Sequence, residues 1–101
     1  MEVKGVTLEE DRIARFPDAP TLRGVKHLEE LASARRAGYG AAVCFVVQME
    51  GMRCFSPNDE THPAFGDALR RAAAAGVRVF AMECHVTPAS LEITNEVPVC
   101  L

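Results

Sequence analysis

The run EVKGVTL, residues 2–8, alternates well enough to read as a β-strand, with Val3, Val6 and Leu8 apolar and Glu2 and Lys4 together on the other face. Glu9-Glu10-Asp11-Arg12 makes a polar turn, and Ile13-Ala14-Arg15-Phe16 returns as a short edge strand. PDAP, residues 17–20, is a loop, because two prolines three apart remove backbone donors and bias the chain away from helix. Thr21 is placed to cap a helix over 22–36. There Leu22, Val25, Leu28 and Leu31/Ala32 recur at three- and four-residue intervals, the stripe of a buried face. Arg35 and Arg36 suit the helix dipole at its C-terminus, and Gly38 suits the position just beyond it.

AAVCFVVQ, residues 41–48, is a continuous apolar run, the pattern of a strand buried on both faces and typical of parallel sheets. Residues 49–61 read as a loop with Ser56-Pro57-Asn58-Asp59 as its turn. Pro63 fits the first position of a second helix, whose apolar face is Phe65, Ala68, Leu69 and Ala72 and which Gly76 ends. VRVFAMECHV, 77–86, is a strand, Thr87–Ser90 a turn, and LEIT, 91–94, its hairpin partner. The expected fold class is therefore α/β, a mainly parallel mixed sheet with flanking helices. If residues 2–8 form a central strand, the chain opens inside its sheet, and a missing N-terminal piece is the expectation.

Composition narrows the class without naming a function. At 101 residues, 49% apolar and 25% charged, the chain fits one small domain, 1–101, with a single core. No apolar stretch approaches the roughly 20 residues a membrane span needs. The N-terminus has no basic start followed by an apolar core, so the expected location is cytoplasmic, with no membrane partner. Cys44, Cys54, Cys84 and Cys100 show no zinc-ligand spacing; Cys44 and Cys84 lie in apolar runs and read as buried thiols. A net charge of −3 does not announce a nucleic-acid binder. Residues 1–40 hold seven of the eleven basic residues but also seven of the fourteen acids, so any anion-binding face must be a local patch.

Glu2-Val3-Lys4 places a carboxylate and an ammonium two residues apart, on one face of a strand. Phosphodiester hydrolysis uses that pairing. The Glu2 carboxylate and the Val3 carbonyl can hold a hard cation, while Lys4 steadies the attacking water or offsets charge growing on the phosphate. The bland alternative is a solvated strand face with an ion pair worth about 0–1 kcal/mol. Acid-x-Lys also arises easily by chance among two lysines and fourteen acids. On the helix that follows, Arg23, Lys26 and His27 cluster in the first two turns, where free N–H groups already attract anions. Basic side chains there oppose the dipole, so they suit a phosphate-facing patch as well as an ordinary solvated face. His62 reads as a turn or helix-start residue, and His85 as a lone strand histidine on the same side as Glu83.

EVKGVTL, ARFPDAPTLRGVKHLEEL and PAFGDALRRAAAAGVRVFAMECHVTP together resemble the C-terminal part of the sugar fermentation stimulation protein A family, over essentially all 101 residues. The resemblance implies a PD-(D/E)xK nuclease-like core following an N-terminal OB-like domain, with this chain a C-terminal fragment lacking that domain and the core's first elements. It implies DNA as partner, contacted mainly through the backbone, and regulation of bacterial sugar-utilisation genes. Glu2 and Lys4 match the catalytic E-x-K element, with Glu2 and the Val3 carbonyl as metal ligands, and Arg23, Lys26 and His27 match a basic, DNA-binding helix. Mg²⁺ or Mn²⁺ is the implied cofactor. Asp18 lies after the E-x-K strand and is not the PD of the fold's name. Gly5 stands where a serine is expected, and His62 where an acid usually precedes the proline. The leading expectation is a DNA-binding, nuclease-like domain. A regulator that keeps the shape without the chemistry, and a structural or partner-binding domain, stay open beside it. An exposed sheet edge would also allow a homodimer.

Overall fold

A computed structural model describes the backbone of residues 1–101 and every side chain except those of residues 86, 87 and 91. The chain runs β1 (Glu2–Val6), β2 (Leu8–Glu10), β3 (Ile13–Phe16), α1 (Leu22–Arg36), β4 (Ala42–Val47), β5 (Cys54–Pro57), α2 (Pro63–Ala74), β6 (Arg78–Thr87) and β7 (Ser90–Val97). A four-stranded sheet has the order β1-β4-β6-β7, and a three-stranded one β2-β3-β5. In the larger sheet β1, β4 and β6 are parallel, and β7 is antiparallel to β6. Each parallel step is bridged by a helix, α1 then α2, as strands that cannot be joined by a tight turn require. The mixed α/β class follows from that alternation.

The helix boundaries fall where the sequence places them. Thr21 Oγ1 accepts from Gly24 N–H at 2.9 Å and caps α1. Gly38 and Gly76, just beyond the two helices, have φ of +96° and +101°, the left-handed region that favours glycine. The buried stripe of α1 differs from expectation at its start. Leu22 is 83% exposed, and Gly24 is buried instead, alongside Leu28 and Ala32. A Cβ on Gly24 would lie 3.2 Å from Phe65 Cε2, so the missing side chain lets α1 approach α2.

The strands bring more corrections. The first strand stops at Val6, and β2 is a separate strand of the other sheet. Val3 and Val6 point to opposite faces, because side chains alternate; Glu2, Lys4 and Val6 share one face. β1 lies at an edge of its sheet rather than in the middle, whereas Ile13–Phe16 is the central strand of the small sheet rather than an edge. Residues 49–61 are not all loop. Cys54–Pro57 pairs in parallel with β3, and Ser56-Pro57 belongs to that strand rather than to a turn. Pro57 lies on an edge strand of the small sheet, where proline's missing donor is tolerated.

Four phenylalanines join these layers. Phe45 on β4 stacks on Phe55 of β5 with centroids 4.2 Å apart, and it meets Phe16 at 5.8 Å and Phe65 of α2 at 6.4 Å. Leu28 and Ala32 of α1 belong to the same core. Both helices and the small sheet therefore cover one face of the four-stranded sheet, the face that carries Glu2, Lys4, Phe45 and Ala81.

Candidate functional site

The helix-covered face of β1 brings three of the candidate side chains together. Lys4 Nζ lies 3.0 Å from His27 Nδ1 and 3.3 Å from Glu2 Oε1, and His27 Nδ1 lies 3.4 Å from that same oxygen. A lysine ammonium can only donate, so in its contact with His27 the ring nitrogen is the acceptor. Lys4 is the most enclosed of the three, 14% exposed against 24% for His27 and 34% for Glu2. The ammonium thus sits below a carboxylate that stays open to solvent.

Backbone pairing adds a fourth group. Gln48 N–H donates to Val6 O at 3.0 Å, which sets the phase of the β1–β4 ladder. Along a parallel strand the bonded residues alternate, so Glu2, Lys4 and Val6 face β4 while Val3 and Gly5 turn their backbone groups to the free edge. The Val3 carbonyl is therefore not used by the ladder. Glu2 and Val3 together offer a hard cation one carboxylate and one carbonyl oxygen. Hard divalent cations take oxygen donors of this kind. Among the described residues no group of three or more His, Cys, Asp or Glu side chains forms a metal cluster.

His27 thus joins the E-x-K strand, and its neighbours on α1 do not. Arg23 and Lys26 are exposed and make no ion pair among the described residues. They project from the first turns of α1 as a free basic pair. The start of that helix is held by a polar latch that sequence reasoning missed. Buried His62 accepts from Thr21 N–H at 3.1 Å, and buried Asn58 donates to Pro17 O at 3.0 Å and to Thr61 Oγ1 at 2.9 Å. Nothing in the local pattern of HPAF or SPND links either residue to a loop 41 positions away. As expected, His62 starts α2.

Asp18 is exposed and lines a small cleft of about 110 Å³ with Gly5, Thr7, Leu8, Arg15 and Phe16, beside β1. A Cβ on Gly5 would come 3.1 Å from the Gln48 side-chain nitrogen, so a serine there would need that amide to move. Glu83 and His85 part company at a β-bulge after Glu83. Glu83 is buried and accepts from Gly51 N–H, while exposed His85 meets Glu50 at 2.6 Å. The cysteines are all free thiols. Burial pushes Cys44 and Cys84 above the ordinary thiol value, and burial, then a hydrogen bond with Cys100, does the same to Cys54.

Known proteins share this fold. The family model for the sugar fermentation stimulation protein RE domain matches residues 1–90. Sugar fermentation stimulation protein homologs of Desulfitobacterium hafniense strain Y51 and Clostridium acetobutylicum are 55% and 54% identical over 101 residues. The match takes in 100% of this chain and 44% of each relative. The solved structure of Pyrococcus furiosus SfsA in complex with Ca²⁺ superposes with a TM-score of 0.92 at 29% identity, over 99% of this chain and 44% of that one. No helix among the described residues is long and apolar enough to cross a membrane. The chain spans less than half the length of these relatives, and it belongs to the sugar fermentation stimulation protein family.

Proposed function

We propose that this domain binds DNA through the phosphate backbone and, within a full-length protein, supports metal-dependent phosphodiester hydrolysis on a PD-(D/E)xK nuclease-like core. The Glu2–Lys4–His27 contact, built by two elements 23 residues apart, carries the reading. Lys4 is held between an imidazole and a carboxylate. A lysine beside a metal-binding carboxylate can steady a water or offset phosphate charge. Glu2 and the Val3 carbonyl would hold the cation, whose chemistry is to polarise a phosphoryl oxygen and acidify water. Mg²⁺ or Mn²⁺ suits these oxygen donors, and the relative solved with Ca²⁺ supports an ion of that class. Arg23 and Lys26 would meet phosphates beside the site, giving salt-dependent, weakly sequence-selective binding.

The first test is plasmid nicking in Mg²⁺ and in Mn²⁺, with Glu2→Ala alongside. The expected outcome is nicking that Glu2→Ala abolishes; nicking that survives the substitution removes Glu2 from the site. One observation favours a second reading, a cytoplasmic DNA-binding regulator without chemistry: among the described residues Glu2 is the only carboxylate in contact with Lys4. That reading predicts DNA retention unchanged by EDTA and no nicking in either metal.

A further inference from the structure

We infer that Cys54 and Cys100 are a redox-active thiol pair, which closes to a disulfide by exchange with a small-molecule disulfide and fastens the segment after β7 onto β5. The backbone sets the pair up. Phe55 N–H donates to Pro98 O at 2.8 Å, and Cys100 N–H donates to Phe55 O at 2.8 Å. Residues 98–100 therefore run parallel to β5, with Val99 opposite Phe55. Phe55 is fully buried and Val99 packs against the core. Alternation turns the flanking side chains, Cys54 and Cys100, away from the core on a common side. There the two thiols are hydrogen-bonded, Cys54 half-buried and Cys100 exposed. Cys44 and Cys84 are buried on β4 and β6, out of reach of a small oxidant.

Burial, and then the Cys100 thiol, favour the protonated form of Cys54, while the Arg53 and Arg15 guanidiniums favour its thiolate. Cys100, the exposed member, meets the small disulfide first. Its thiolate attacks one sulfur, forms a mixed disulfide and releases one small thiolate. Cys54 then gives its proton to solvent, and its sulfur attacks Cys100 Sγ, expelling the second small thiolate. The protein's two thiols lose two electrons and two protons, and the small disulfide takes them up as two thiols. The new bond closes a loop of nearly half the chain, which restricts the unfolded state. It also anchors the strand that runs on into Asn58, whose amide holds the Pro17 carbonyl ahead of α1. None of this depends on the chemistry proposed at Glu2 and Lys4.

The test incubates the reduced chain with hydroxyethyl disulfide and maps its peptides, without reduction, by mass spectrometry. A Cys54–Cys100 link within one chain should be the major product, and dithiothreitol should undo it. The oxidised chain should melt several degrees above the reduced one, and Cys100→Ser should lose that gain. Cys54→Ser should keep the reagent on Cys100 as a mixed disulfide. A lasting mixed disulfide on Cys100 of the unsubstituted chain overturns the proposal. So do links formed only between chains or to Cys44 or Cys84, and so does a Cys54–Cys100 link that leaves the melting temperature unchanged.

Discussion

Gly24 is the residue on which the approach of the two helices depends. A Cβ there would stand 2.9 Å from Thr21 Cγ2 and 3.2 Å from Phe65 Cε2. Gly24→Ala should therefore lower stability by about 1 kcal/mol in urea unfolding. The crowding, of order 1–3 kcal/mol, exceeds the roughly 1 kcal/mol that alanine returns in helix propensity. Asn58→Ala strips the Pro17 carbonyl of its buried donor and should cost about 1–3 kcal/mol in the same assay. The buried thiols set a pH dependence. Cys44 and Cys84 are raised above their ordinary value of 9.0, so the unfolded chain loses its thiol protons first. Their contribution to stability is complete below the unfolded pKa and is lost as pH rises through the folded one. Unfolding midpoints should fall as pH rises past about 9, and Cys44→Val should shallow the fall.

Among the elements, α1 was the most legible and β5 the least. The stripe Val25, Leu28, Leu31/Ala32 and the Thr21 cap identify a helix because period and cap are local signals. Leu22 misled because a first-turn position meets the core only if neighbouring segments reach it, and here they do not. β5 is short, carries Ser-Pro, and borrows its pairing from β3 and, through Phe55 and Val99, from the C-terminal segment. No period-2 pattern survives in four residues whose partners are that distant. The basic pair of α1 belongs to this scale. Arg23→Ala with Lys26→Ala should reduce the slope of log affinity for duplex DNA against log salt by about 2, at roughly 0.9 per phosphate contact. An unchanged slope in a filter-binding titration would remove the patch from the interface.

For the molecule as a whole, the aromatic cluster holds the layers together. Phe55→Ala should cost about 3–5 kcal/mol, enough to unfold much of a small domain, because Phe55 is fully buried and stacks on Phe45 across the two sheets. A loss of under 1 kcal/mol by calorimetry would mean the small sheet is not part of the cooperative unit. The sequence by itself determined the two helices, the apolar strands between them, the α/β class, the buried thiols and the family, since these rest on local periodicity, capping and motif order. Only the tertiary structure decided that His27 leaves the basic patch to sit on Lys4. The same holds for the latching of the start of α1 by His62 and Asn58. Those outcomes depend on contacts between positions 23 to 41 residues apart, and such pairings leave no period in the chain for a reader to find.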